Sequence, residues 1–350
     1  MDNKRFKICY LVSTLRKSGP TNQLYGLIKN LDRSIFSPII LTLSPEPQNS
    51  KYADFVKLDV EIRTLELSRI GMVLRGKKKL LKMIEKLQPD LIHTTGIRPD
   101  LYASKYLKGY IHCSTMRNYV FDDYPVKFGK IIGTSMAFIH ISILSKIEFS
   151  ISCSYAISNK LKRNHGIETK VIQNGIDTEY FSPISFDGKQ KLRKELNLSN
   201  DKILFVSAGA LSKRKDPITL IKAFKLSKIS NEAQLVILGD GPLYSSCKKI
   251  KDDSIILKGH IDNVVDYLRA CDVYVSASRS EGLPNSVLEA MGTKLPVLLS
   301  DIQQHKEILE RNTNIGETFP VGNVKELSSC LSRYLKYDLS GKGNEARKIV

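Results

Sequence analysis

Residues 272–300, DVYVSASRSEGLPNSVLEAMGTKLPVLLS, contain one complete strand–loop–helix–strand step. The run DVYVSAS (272–278) is short, β-branched and aromatic, and reads as a strand. NSVLEAM reads as a helix that Pro284 opens and that Gly292 and Pro296 close off. PVLLS (296–300) is the next strand. Glu281 therefore falls in the loop between strand and helix, and Glu289 about two turns into the helix. Apolar strands linked through helices build a parallel sheet covered on both faces.

The same step recurs along the chain. KILFVSAG (202–209), QLVILG (234–239) and IILKG (255–259) are further strands of the second half, alternating with helices such as DPITLIKAFKLSKI (216–229). The first half offers FKICYLV (6–12), PIILTL (38–43), DLIHTT (90–95), YIHCSTM (110–116), ISCSYAIS (151–158) and KVIQNGI (170–176), with a Gly19-Pro20 loop before the amphipathic stretch QLYGLIKNL (23–31). Two such halves imply two Rossmann-like domains, with ligands at the carboxyl ends of the strands. A length of 350 residues also favours two domains. The polar stretch FSPISFDGKQKLRKELNLSND (181–201) reads as the linker, which sets the domains at 1–182 and 183–335.

Apolar content of 42% and charged content of 26% are ordinary, but a formal net charge of +18 is not. It points to a polyanionic neighbour: nucleic acid, an anionic membrane surface or a phosphorylated substrate. No recognition motif or aromatic–basic platform supports a specific nucleic acid. Six scattered cysteines without a CxxC pair argue against a disulfide framework or zinc site and suit a reducing cytoplasm. The N-terminus runs straight into a strand with no cleavage signal. IIGTSMAFIHISILSK (131–146) reaches only about 15 residues before Lys146, too short to span a bilayer, and reads as a buried core helix. LRGKKKLLKMIEKL (74–87) is either an amphipathic helix with a solvated basic face or a helix lying on an anionic bilayer.

Three loops carry the chemistry. Glu281 and Glu289 bracket a helix N-terminus, where backbone N–H groups favour an anion. That suits a ligand with phosphate in the middle and hydroxyls at both ends, as in a nucleotide sugar; the plainer reading is two surface carboxylates. GDGP (239–242) occupies the position of a phosphate-binding turn but lacks the full GxGxxG spacing, so alone it reads sooner as a simple turn than as a nucleotide site. Lys213, Arg214 and Lys215 follow the first strand of the second half, as a solvated basic loop or as neutralisers of a departing diphosphate.

SRSEGLPNSVLEAMGTKLPVLLSD resembles the donor-site signature of retaining, nucleotide-sugar-dependent glycosyltransferases of family 4. VIQNGIDTEYF (171–181), GALSKRKDPITLIKAF, LVILGDGPL and LKGHIDNVVDYLRACDVYVSAS fall in that family's order. The resemblance implies the GT-B fold, an α/β architecture of two Rossmann-like domains with parallel sheets facing across a cleft. It also implies retention of anomeric configuration, no cofactor and no obligatory metal. Glu281 is then expected on the transferred sugar's hydroxyls, Gly282 and Leu283 near sugar and diphosphate, Glu289 on the ribose diol, Lys215 on the diphosphate, and the base near His260 and Ile261. Pro284, Asn285, Ser286, Gly209, Gly241 and Arg214 complete the expected donor site, with Gly19 and Pro20 as the glycine-containing loop of the first domain. Asn174 and Gly175 read as a structural turn, and His93 and His112 as core or loop residues.

The chain departs from the family twice. Ala210 stands where the family often has arginine, leaving Arg214 or Lys213 to supply the charge. In CSTMRNYVFDDYP (113–125), Arg117 stands where the family often has histidine. Grouped with Glu281 and Lys215 as catalytic, Arg117 cannot act as a base but can hold an anion bidentately. The expected partners are a nucleotide-diphosphate sugar and a polyprenyl-diphosphate-linked saccharide acceptor. The expected setting is bacterial surface polysaccharide assembly, on the cytoplasmic face of the inner membrane. A sugar-nucleotide epimerase of the same fold is the alternative. The stretch 336–350 reads as a partial crossover helix that ends early for the family.

Overall fold

The computed structural model describes residues 5–350 and divides into two compact units, which meet in sequence at Asn174/Gly175. In the first unit the order is β1 (Phe6–Val12), α1 (Gly19–Lys29), β2 (Phe36–Thr42), α2 (Tyr52–Val56), β3 (Glu61–Thr64), α3 (Arg69–Leu87), β4 (Leu91–Thr94), α4 (Ile97–Tyr106), β5 (Ile111–Met116), α5 (Val120–Phe128), α6 (Lys130–Leu144), β6 (Phe149–Ser152), α7 (Tyr155–His165) and β7 (Lys170–Val171). The second unit runs α8 (Phe186–Glu195), β8 (Ile203–Ala208), α9 (Pro217–Ser227), β9 (Ala233–Leu238), α10 (Tyr244–Ile250), β10 (Ile255–Gly259), α11 (Val264–Ala270), β11 (Val273–Ser276), α12 (Asn285–Gly292), β12 (Val297–Ser300), α13 (Gln303–Leu309), β13 (Gly316–Phe319), α14 (Val324–Tyr334) and α15 (Leu339–Ile349).

Among the described residues each unit holds one sheet whose paired strands are all parallel, in the orders β3-β2-β1-β4-β5-β6-β7 and β10-β9-β8-β11-β12-β13. The central strands are apolar because both faces are covered: Leu204, Phe205 and Val206 of β8 and Val273, Tyr274 and Val275 of β11 are buried. Strand order reverses between β8 and β11, so the loops leaving these two strands open a crevice at their carboxyl ends.

Several expectations are corrected. The boundary lies at 174/175 rather than 182/183 because residues 178–182 are tied into the second unit. Arg347 donates to the carbonyls of Thr178 and Phe181 at 2.8 and 2.9 Å, and Arg269 to that of Ser182 at 2.8 Å. The stretch 336–350, expected as a crossover, supplies α15, which packs on α12 in the same unit. Gly343 of α15 lies so close to the Lys294 carbonyl that a Cβ there would sit 2.0 Å from the oxygen.

The expected linker 181–201 forms α8, capped by Ser185. Its Arg193 is 4% exposed and donates to the carbonyls of Ala270, Asn200 and Lys202 and to Asp272. ISCSYAIS splits, the strand ending at Ser152 and Ser154 capping α7; of KVIQNGI only Lys170–Val171 is strand. Gly19 and Pro20 are not a loop but the first turn of α1, behind Ser18, whose side chain accepts from the Thr21 N–H. Proline suits that turn because no helical hydrogen bond is asked of its nitrogen.

The expected core helix at 131–146 is α6, and it is only half covered. Gly133, Ala137, His140 and Leu144, at helical spacing, are buried; Ile131, Ile132, Phe138 and Ile139 on the other face are 85, 64, 60 and 52% exposed. The corner leading into it, Val126-Lys127-Phe128-Gly129-Lys130, is exposed throughout. On α3, Ile70 and Leu74 are also exposed one turn apart.

Removing Arg193 leaves Asp272 with only Lys189 as a counter-charge and three carbonyls without their donor. Arg193→Ala is expected to cost roughly 3–5 kcal/mol of stability, measured by chemical denaturation. A linker residue would cost almost nothing.

Candidate functional site

The crevice between β8 and β11 is built around one buried carboxylate. Glu281, 7% exposed, lies in the loop after β11. Its Oε1 accepts from Ser278 Oγ at 2.7 Å and from Lys215 Nζ at 2.6 Å; its Oε2 accepts from Arg214 Nη1 at 2.6 Å. Burial alone would raise its pKa, but Lys215 and Arg214 outweigh burial and hold the carboxyl well below the usual range. The two cations against one carboxylate leave the cluster with a net charge of +1.

Backbone contacts lock the two loops together. The Arg279 N–H donates to the Arg214 carbonyl at 2.7 Å, Arg214 Nη1 to the Ser280 carbonyl at 2.9 Å, and Arg279 Nη2 pairs with Asp216 Oδ2 at 2.6 Å. Asp216 also caps α9 through the Thr219 N–H. Lys213 is exposed, whereas Arg214 is half-buried against Glu281.

The glycines serve close approach. Gly209 has φ +147°, and a Cβ there would lie 3.1 Å from Lys215 Cε, so glycine lets the lysine stem lie flat over the strand end. Gly239, at φ +134°, has no room for a side chain beside the Gly209 carbonyl, and Gly241 packs on Leu211. GDGP is thus a turn bolted to the 209–211 loop, which hydrogen-bonds to it through Leu211 N–H to Asp240 O at 2.9 Å. Together these loops frame an open depression lined by Gly209, Lys215, Ser276 and Ser278 among others.

Glu289 is the fifth residue of α12, a little over one turn in rather than two. Gly282, Leu283 and Pro284 are buried, while Asn285 and Ser286 are half-buried on the first turn. Ser286 hydrogen-bonds the Tyr274 hydroxyl, which donates to the Ala208 carbonyl at 3.2 Å and lies within the field of Glu289. His260 is exposed and Ile261 half-buried, just past the edge strand β10.

Sequence reasoning missed Ser278, Arg279 and His305. The imidazole of His305 is buried within the field of Glu281, its Nδ1 2.8 Å from the Ser300 carbonyl and its Nε2 without a partner. Burial pushes its pKa down to about 4. Ser278 was legible only as the residue three before Glu281, and His305 gave no signal beyond being a histidine.

In the first unit, Arg117 directly follows β5, and its Nη1 donates to Asn174 Oδ1 at 2.7 Å. Asn174, expected in a structural turn, lies in irregular chain and is a polar partner of Arg117. His93 and His112 bond Thr115 and Thr94 at 2.7 and 2.8 Å. A second missed network satisfies the buried Asp100. It accepts from Ser114 at 2.8 Å and from Thr94, and its Oδ2 lies 2.7 Å from His140 Nε2, while Tyr124 meets His140 Nδ1 at 2.7 Å. Among the described residues no group of three or more His, Cys, Asp or Glu is placed to hold a metal ion.

Two family models match the chain: "Glycosyl transferases group 1" over residues 188–348 and "Glycosyltransferase Family 4" over residues 17–180. The chain is 33% identical over 191 residues to TuaC, a Bacillus subtilis protein named for teichuronic acid biosynthesis; the match covers 53% of this chain and 47% of that protein. It thus spans only about half of that relative's length. It is 28% identical over 269 residues to an Escherichia coli UDP-Gal:α-D-GlcNAc-diphosphoundecaprenol α-1,3-galactosyltransferase, covering 73% of this chain and 68% of that one. The structure of Anabaena HepE with UDP and glucose superposes over 99% of this chain and 94% of its own, with a TM-score of 0.82 at 16% identity. One model reaches from residue 17 and the other to residue 348, over a fold shared along the full length, and the chain belongs to the GT-B glycosyltransferases of family 4.

Proposed function

We propose that the chain transfers a hexosyl or N-acetylhexosaminyl group from a nucleoside diphosphate donor to a saccharide carried on a polyprenyl diphosphate, with retention of configuration. The observation that carries this reading is the ionised, buried Glu281 held by Lys215 and Arg214 at the β8/β11 crevice. A carboxylate only accepts, and three of its roughly four lone-pair sites are used, leaving room for a sugar hydroxyl. Lys215 has donors to spare for the diphosphate beside Gly209. Negative charge grows on that leaving group as the glycosidic bond breaks, and a fixed cation aimed at it lowers the barrier without reorganisation. In this reading Lys215 and Arg214 supply the charge a metal would bring, so no metal or cofactor is required. Glu289 takes the ribose diol, the backbone of Gly282 and Leu283 lies along sugar and diphosphate, and the base rests near His260 and Ile261. With no carboxylate placed as a nucleophile, the acceptor hydroxyl attacks from the front face and the donor phosphate takes its proton.

The acceptor class is supported by the E. coli relative, whose name specifies a diphosphoundecaprenol-linked substrate. A peripheral seat on the anionic cytoplasmic leaflet is supported by where the charge lies. The first unit carries 28 Lys and Arg against 14 Asp and Glu, a net of +14; the second carries 26 against 22, a net of +4. The excess therefore sits away from the unit proposed to hold the nucleotide. It accompanies the exposed apolar side chains at 126–132 and on α3 and α6. No helix among the described residues is long and apolar enough to cross a membrane. Apolar groups interleaved with lysines suit the bilayer interface, each lysine adding about 1 kcal/mol on anionic lipid.

Thermal stabilisation by UDP, GDP and ADP tests the donor reading. One nucleotide is expected to raise the melting temperature of the wild type and not that of Glu289→Ala; no shift with any of them contradicts it. Vesicle sedimentation tests the membrane reading. Binding to phosphatidylglycerol vesicles is expected to exceed binding to phosphatidylcholine and to fall about tenfold or more in an Ile131→Asp, Ile132→Asp double variant. Unchanged binding by that variant would remove α6 from the interface.

A further inference from the structure

Arg117 carries a charge that the protein itself does not answer. It stands at the carboxyl end of β5, the edge of a parallel sheet where ligands bind. Its Nη1 is used by Asn174, a neutral amide, at 2.7 Å. Its Nε is buried and has no hydrogen-bond partner. Among the described residues no carboxylate lies within ion-pair distance of it. Asp100, which like Arg117 acts on His93, is committed to His140, Ser114 and Thr94. The titratable groups that interact with Arg117 are Cys153, whose Sγ donates to the Arg117 carbonyl, and His93, whose pKa is lowered to about 4 by burial first and then by the guanidinium, so the ring is neutral and adds no second positive charge. Buried charges are almost always paired, and a buried donor left without an acceptor calls for an explanation.

We propose that the Nε–Nη2 edge of Arg117 is an anion-binding subsite, which receives a carboxylate or phosphate of one of the two substrates. That edge presents two parallel N–H donors at the spacing of two oxygens on one carboxylate or phosphate, which lysine or histidine cannot reproduce. Asn174 holds the opposite side of the guanidinium and fixes its plane. The inference rests on the transferase reading and narrows its substrates. Either the transferred sugar is an acid sugar, or the acceptor's diphosphate sits at β5. A structural clamp on Asn174 is the competing explanation, and it differs in what happens to stability. Taking away a buried charge that has no partner relieves desolvation, whereas taking away a clamp loosens the fold.

The test is calorimetric titration of the whole chain with two probe pairs: a nucleoside diphosphate hexuronate against the matching hexose, in whichever base stabilises the chain, and geranyl diphosphate against geraniol. Wild type is expected to prefer the anionic member of one pair by about tenfold or more, as a charge-assisted hydrogen bond provides. Arg117→Gln should lose that preference and melt no lower than wild type. Arg117→Lys should keep the charge but only part of the preference. The acid-sugar pair assigns the anion to the donor, the geranyl pair to the acceptor. No preference in either pair, a preference that survives Arg117→Gln, or a lower melting temperature with unchanged preference overturns the subsite. If no nucleotide binds at all, the transferase reading fails instead, and the geranyl pair still decides Arg117.

Discussion

A carboxylate can be buried only where cations and hydroxyls replace the water it loses, and Glu281 meets that condition through residues about 66 positions away in the chain. Much of the second unit serves that meeting. Parallel pairing sets β8 beside β11, so the loop after each strand emerges at the same edge. Gly209 gives Lys215 a flat path to the carboxylate, and Gly239 and Gly241 press the neighbouring turn against the same loop. The Arg279–Arg214 backbone bond and the Arg279–Asp216 pair then hold both loops in register. Removing one partner of such a buried cluster costs roughly 3–5 kcal/mol, so the geometry is fixed before any ligand arrives.

Fixed polar groups suit a reaction in which charge moves from a glycosidic bond onto a diphosphate. Water around that leaving group would have to reorient; Lys215, Arg214 and the Ser278 hydroxyl are already oriented. The two units divide the electrostatic work. The second concentrates a small net charge at one point, while the first spreads a large excess over a surface that also exposes isoleucine and phenylalanine. Within that first unit Arg117 is a cation drawn inward at the end of β5.

Local patterns were legible in the sequence wherever burial on both faces makes a strand uniformly apolar, as in β8, β9, β11 and β12. The Glu281 loop was equally legible, because its strand, its carboxylate and Pro284 are adjacent in the chain. Less was legible where a role depends on distant residues. The α8 stretch looks like a linker because its buried side chain is an arginine, acceptable there only beside Asp272. An all-round apolar helix such as α6 reads as core, and the sequence does not say that one face lacks a covering element. Glu289 is the fifth residue of α12, a little over one turn in, on the same helix the sequence predicts. His305 and Ser278 have no local pattern at all; they matter through contacts with Ser300 and Glu281.

The central claim is that the Lys215–Glu281 pair is a substrate site. A crystal structure of the chain with a nucleoside diphosphate sugar tests it most directly. The expected result places a sugar hydroxyl within hydrogen-bond distance of Glu281 and the diphosphate on Lys215 beside Gly209. A bound sugar nucleotide lying elsewhere, with Glu281 still bonded only to Ser278, Arg214 and Lys215, would contradict it and leave the cluster as a purely structural ion network.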